Sequence, residues 1–233
     1  MSAQSASKRS ARAKHPDSED ALLARALELS GWAQANLKLV VIGVVALVVV
    51  IGGGLYYRYY NAARERDAAA ELMKLELSIN SGNPQLAARD LEKFVHRFDG
   101  TGPATEAQVV LAQMYLQEGD AKKAVTVLAG SESKIGKSEV GPQAALLLAA
   151  AKNSAGDAKG AVETYLLVAD KAPHAYQKSE ALENAAVLRA QSGDYKGAAE
   201  IYQRLIDSSE KGSPQVQLYQ MRLAEAAAKA AFK

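Results

Sequence analysis

Hydrophobic residues are distributed along this chain in two contrasting ways: one unbroken run near the N-terminus, and beyond it a set of positions that recurs at a fixed period. The run reads LVVIGVVALVVVIGGGLYY from Leu39 to Tyr57, without a charge and bracketed by Lys38 and Arg58. As a helix it rises about 28 Å, close to the hydrocarbon thickness of a bilayer. It is apolar on every face, whereas a soluble helix carries a stripe. In lipid the backbone must satisfy its own hydrogen bonds, so even this Val- and Ile-rich sequence becomes helical. Tyr56, Tyr57, Tyr59 and Tyr60 stand at one end, the depth amphipathic rings prefer. The run is long for the apolar part of a secretory leader, and no small-x-small cleavage site follows it. The expectation is a retained transmembrane helix over residues 37–58.

The segments before it differ from it and from each other. Residues 1–16 are rich in Ser, Ala, Lys and Arg and read as a disordered basic tail. Pro16-Asp17-Ser18-Glu19-Asp20 then supplies the capping and dipole-matched acids that open a helix. Leu22, Leu23, Ala26, Leu27 and Ala33 give residues 17–36 an apolar face, the pattern of a juxtamembrane helix lying on lipid. Trp32 suits the interface on that side.

After the apolar run the dominant signal is a period of 37 residues. Gly82, Gly119, Gly156 and Gly193 are evenly spaced, each followed by Asn83, Asp120, Asp157 or Asp194. Five after each glycine stands an alanine (Ala87, Ala124, Ala161, Ala198), and nine after stands Leu91, Leu128, Tyr165 or Tyr202. Seven before come Leu75, Ala112, Ala149 and Ala186. Each position has a mechanical reason. Glycine ends a helix in a left-handed conformation that other residues enter at a cost. The Asn or Asp caps the next helix. The alanine keeps two antiparallel helices close, and the large residue fills the space toward the neighbouring unit. Gly100-Thr101-Gly102-Pro103 and Gly141-Pro142 are expected in loops separating one pair from the next.

These residues resemble the tetratricopeptide repeat, a helix–turn–helix unit of 34 residues. The best matches are LAQMYLQEGDAKKAVTVL (Leu111–Leu128), LAAAKNSAGDAKGAVETY followed by Pro173, and AAVLRAQSGDYKGAAEIY (Ala185–Tyr202). The first unit, Leu75–Phe94, is degenerate, and Gln215 to Phe232 reads as a capping helix. Lys152 and Arg189 stand where Tyr115 retains a large aromatic, and the longer period implies extended connections. The fold class expected is all-α: one N-terminal transmembrane helix, then a tetratricopeptide-like α-solenoid of about four helix pairs over residues 59–233.

Composition and charge narrow the function. The chain has no cysteine, which removes disulfides, thiolate metal sites and a lipidated N-terminal cysteine; it suits an oxidising space such as a bacterial periplasm. The net charge of +2 comes from residues 1–38, where six basic residues meet four acidic ones, leaving 22 of each sign beyond. Such a mixed, neutral surface gives no footprint for nucleic acid. The basic tail and the tolerance of long domains for translocation place the tail in the cytoplasm and the repeats across the membrane. His15, His96 and His174 are far apart and lack companions at ligand spacing, and His96, near a helix end, reads as a surface residue or one that compensates the helix dipole. Gly100-Thr101-Gly102 lacks a P-loop lysine. No catalytic, cofactor-binding or metal-binding residue is assigned.

Resemblance to tetratricopeptide domains implies a partner groove on the first helix of each unit, at Glu76, Ile79, Gln113, Leu116, Asn153, Glu183 and Val187. The set lacks the lysine and asparagine pattern that clamps a C-terminal carboxylate, and suits an extended or helical protein segment instead. Anchor, short tail and translocated repeats together resemble the ancillary subunits of the bacterial Sec translocon. That resemblance implies a single-pass inner-membrane protein whose periplasmic repeats link the translocon to periplasmic chaperones or emerging chains. Two other classes fit the same features: a structural accessory subunit of another inner-membrane complex, such as an energy-transducing one, and an organellar import receptor.

Overall fold

The computed structural model describes residues 33–79 and 83–232, without the side chains of Ser78 and Ile79. The expected basic tail, most of the juxtamembrane helix including Trp32, and the first periodic glycine, Gly82, lie outside the described residues. The structure is all-helical among the described residues. Its helices are α1 (Leu37–Ile79), α2 (Pro84–Arg97), α3 (Gly102–Gln117), α4 (Ala121–Val127), α5 (Gly141–Ser154), α6 (Ala158–Lys171), α7 (Ala175–Gln191), α8 (Tyr195–Ser208) and α9 (Pro214–Ala231). A 3-10 turn, Ser131–Lys134, lies between α4 and α5. The chain divides into two compact units, residues 1–60 and 61–233.

In the first unit, α1 leaves its large apolar side chains uncovered on all sides: Leu39, Val44, Leu47 and Ile51 are each more than half exposed. A soluble core helix hides such residues. The helix is long and apolar enough to cross a membrane.

The second unit is an α-solenoid. Its first pair joins the end of α1, from Asn61 onward, to α2. Ala68 and Leu72 of α1 are buried with Leu91, Phe94 and Phe98. Glu65 accepts from the Gly102 N–H, at 3.2 Å to Oε1 and 3.1 Å to Oε2, and so caps α3. Arg97 pairs with Glu71 at 2.9 Å. The pairs α3–α4, α5–α6 and α7–α8 follow, and α9 closes the stack.

The period is visible atom by atom. Gly119, Gly156 and Gly193 all adopt left-handed backbone, with φ of +80°, +91° and +77°. After each, the N–H of Asp120, Asp157 or Asp194 donates back to the carbonyl of Tyr115, Lys152 or Arg189 at 2.8–2.9 Å. This helix-ending bond satisfies a carbonyl that the terminus would orphan. The same aspartates then cap the next helix, accepting from Lys123, Gly160 and Gly197 N–H at 3.1, 2.9 and 2.9 Å. Asn83 does likewise for Leu86 at 3.1 Å. Ala124, Ala161 and Ala198 are wholly buried, and Leu91, Leu128, Tyr165 and Tyr202 lie in the core. Asp157→Ala should lower repeat-domain stability by about 1 kcal/mol, seen as an earlier denaturation midpoint, while Asp157→Asn keeps the acceptor and most of the stability.

Alanine also explains how the stack is continuous. On α5, Ala144, Leu148 and Ala151 face one core and Ala145 and Ala149 face the next. A helix squeezed between two layers needs small side chains at most of its contact positions, here four alanines beside Leu148.

Two local features differ from the pattern read in the sequence. Gly102-Pro103 and Gly141-Pro142 form the first turns of α3 and α5 rather than loops. Proline's missing N–H is an orphan there anyway. The extra chain length is also unevenly placed. The second helix of the α3–α4 pair stops after seven residues, where α6 and α8 have 14 each. Gly130 and Gly136, at φ +81° and +74°, flank the 3-10 turn that replaces its second half. Lys134 Nζ ties that turn to α3, donating to Thr105 Oγ1 at 3.0 Å and Gln108 Oε1 at 3.1 Å. Glu132 ties it to the next pair, accepting from Lys152 Nζ at 2.9 Å and Thr164 Oγ1 at 2.6 Å. The Thr164 and Lys152 donors hold the Glu132 carboxyl below its ordinary range.

Candidate interaction surface

Three successive first helices, α3, α5 and α7, border a groove of about 560 Å³. Its position follows from helical spacing. Val109 and Gln113 are four apart on α3, Gln143, Leu146 and Ala150 share a face of α5, and Gln177, Glu180 and Asn184 do so on α7. Val109 is buried and Leu146 half-buried, so the groove has an apolar floor, to which the second-helix residue Tyr165 also contributes. Glu139, from the irregular segment before α5, and Glu180 bring two exposed carboxylates to it. Burial, then the Glu180 charge, pushes the Tyr165 phenol above its ordinary range. Gln177 is only 5% exposed, and its Oε1 is buried without a hydrogen-bond partner. Tyr176 beside it is open, its ring stacked on His174 at 5.6 Å.

A second hollow, of about 420 Å³, lies among α7, α8 and α9. Its one carboxylate is already held by two bases. Glu225 accepts from Lys229 at 2.8 Å and Arg222 at 3.3 Å, and these donors, Lys229 first, lower its carboxyl below the ordinary range. Lys229 also lies 5.6 Å from the Tyr195 ring centre.

The groove residues expected from sequence fall in different surroundings. Gln113 lines the first groove and Val187 the second hollow. Leu116 is half-buried against the core formed by the first pairs. Glu183 accepts a hydrogen bond from the Tyr219 hydroxyl, joining α7 to α9. That phenol is pushed up to about 12, by burial first and then by Glu183, and so stays a donor at neutral pH. Glu76 and Asn153 are exposed. The side chain of Ile79 lies outside the described residues. Of the other polar residues that line the groove, Gln143 and Glu180 stand 13 residues before their glycines, as does Glu106, which lies outside the lining. Three polar residues at one offset were a usable signal.

The departures from the aromatic at Tyr115 also have a structural account. Tyr115 donates to Glu92 on the preceding helix. Lys152, at the equivalent place, reaches Glu132 and Thr164, and Arg189 pairs with Asp194 at 3.3 Å. Each long side chain ends on a polar partner, whichever residue type carries it.

The family model described as tetratricopeptide repeat-like domain matches residues 30–228. The chain belongs to this family. A crystal structure of the nearly identical TPR-like repeats of a candidate kinesin light chain from Podospora anserina is similar in fold. It is 17% identical, with a TM-score of 0.53, over 73% of this chain and 89% of that one. No curated protein matches the chain significantly. Tetratricopeptide repeat-like domains are protein-interaction scaffolds, and the groove between α3, α5 and α7 gives this one an open, uncompensated surface on the helices that such scaffolds present.

Proposed function

We propose that the protein is a membrane-anchored interaction module of the bacterial inner membrane, an accessory subunit of the Sec translocon. In this reading residues 37–58 span the bilayer, residues 1–16 and 17–36 lie on the cytoplasmic side, and residues 59–233 form a periplasmic repeat domain. That domain holds a periplasmic chaperone, or segments of emerging chains, next to the translocon. The observation that carries the reading is the combination in one chain: a helix whose large apolar residues are uncovered all round, and a tetratricopeptide-like array with an open groove. The helix fixes the array at a membrane, and the array supplies the binding surface.

Co-purification of the full-length protein from mild detergent, followed by mass spectrometry, tests it. Translocon subunits and a periplasmic chaperone are the expected company. Their consistent absence, with a different inner-membrane complex in their place, would overturn the assignment.

A further inference from the structure

The two hollows of the repeat domain differ in one respect that bears on what each can bind. Around the second, the acid is matched by base: Glu225 is held by Lys229 and Arg222. Around the first, Glu139 and Glu180 both line the groove, no lysine, arginine or histidine does, and among the described residues neither carboxylate has an ion-pair partner. Ion pairs do form elsewhere on the domain, as in Arg204–Asp170 at 2.9 Å and Lys152–Glu132 at 2.9 Å, but no base lines this groove. The groove therefore carries an uncompensated negative field over an apolar floor, and such a field selects a positively charged occupant.

A second, independent observation points to an occupant that also donates hydrogen bonds. Gln177 lines the groove, is almost fully buried, and leaves its side-chain oxygen unpartnered. A buried polar atom in that state costs stability until a donor reaches it. Gln113 and Gln143, exposed along the same surface, offer both donor and acceptor, the pairing that an extended backbone requires. Leu146 and Val109 beneath them accept an apolar side chain.

We propose that the groove between α3, α5 and α7 takes an extended segment of a partner polypeptide bearing lysine or arginine beside an apolar residue, its cation paired with Glu139 or Glu180 and a donor directed to Gln177. This rests on the reading that the repeat domain receives protein segments, and adds to it the chemistry of the segment. The acidic groove is the reverse of a basic clamp for carboxylate tails.

The test uses the full-length protein in detergent micelles on an array of nine-residue peptides. The peptides share one Leu/Ser host sequence and carry Lys, Arg, Gln, Asp or Glu at two positions. Two rim pairs predict about five- to tenfold stronger retention on the Lys and Arg peptides than on the Asp and Glu peptides. The preference should weaken at high salt. Glu139→Lys with Glu180→Lys should reverse it, and Glu139→Gln with Glu180→Gln should abolish it. Both pairs are exposed substitutions, and the helical circular dichroism of each variant should be unchanged. Retention that ignores peptide charge overturns the basic segment and leaves the groove as a protein-binding surface. A preference unmoved by either pair of substitutions places the site elsewhere and overturns the proposal. Failure to retain any peptide, in a protein that still co-purifies with the translocon, overturns it too and moves the main contact to the anchor.

Discussion

Phe94→Ala should cost the repeat domain about 3–5 kcal/mol, the range for deleting a buried aromatic ring. Phe94 is among the largest fully buried side chains, packed in the core that Ala68 and Leu72 of α1 share with α2 and α3. Its ring lies 4.9 Å from that of Phe98, tilted by 43°, so the substitution removes an aromatic pair as well as volume. Against a total of about 5–15 kcal/mol for a typical domain, such a loss is large. In a solenoid it should also be local, because each unit leans only on its neighbours. Hydrogen exchange read by mass spectrometry should show residues 84–97 exchanging at least about 100-fold faster, a factor of ten for each 1.4 kcal/mol. Residues 195–208, in the fourth pair, should keep their protection. Equal acceleration in both segments would mean that the array unfolds as one cooperative block.

The same contrast between local and transmitted effects explains how much the sequence disclosed. The turns were legible because they rest on local chemistry. A glycine that must take positive φ and an aspartate that must accept from the third N–H of the next helix are set by their own neighbours, and they recur in register at Gly119, Gly156 and Gly193. Ala161 and Ala198 were legible for the same reason, since a crossing of two helices admits only a small residue. The end of α4 was not. Leu128 keeps its place in the period and is buried, yet the helix stops there and a 3-10 turn follows, held by Lys134 on α3 and Glu132 on the next pair. Those contacts span 20 to 32 residues of sequence and no periodic reading contains them.

The groove suffered from the same difficulty. Resemblance to tetratricopeptide domains put candidates on the first helix of each unit, and one of them, Gln113, lines the groove, but which turns of a face remain open depends on what packs over them. Tyr219 of α9 reaches Glu183, and Leu116 turns toward the core, so neither is simply open surface. Glu139 enters the groove only because the irregular segment before α5 places it there. Its contribution therefore depends on a backbone path, and that path can be broken at one atom.

Gly141→Ala is expected to break it. A Cβ at Gly141 would stand 2.2 Å from the Lys134 carbonyl oxygen and 2.6 Å from its carbon, far inside contact distance. The obstacle is backbone, so no rotamer change relieves it. Nor can the Lys134 backbone retreat freely: its side chain is tied to Thr105 and Gln108, and Ile135 beside it is buried in the core. Gly141 itself is held by its N–H donating to Ser138 Oγ at 2.9 Å. Either the 3-10 turn leaves α3 or α5 loses its first turn, at a cost of about 3 kcal/mol or somewhat more, the upper part of the range for overpacking. Gly156→Ala provides the contrast, because its Cβ meets nothing within 4 Å and only the φ of +91° resists it. That substitution should cost about 1–2 kcal/mol. Limited trypsin digestion distinguishes the two. Cleavage after Lys134 and Lys137 should accelerate at least about tenfold in Gly141→Ala, since proteolysis follows the population of the locally open state. In Gly156→Ala it should stay near the wild-type rate. Displacing the segment also displaces Glu139, so Gly141→Ala should lose part of the preference for basic peptides while Glu180 retains the rest. Unchanged cleavage in Gly141→Ala would mean that the segment before α5 yields to a methyl group, and that the position of Glu139 is not fixed by the backbone.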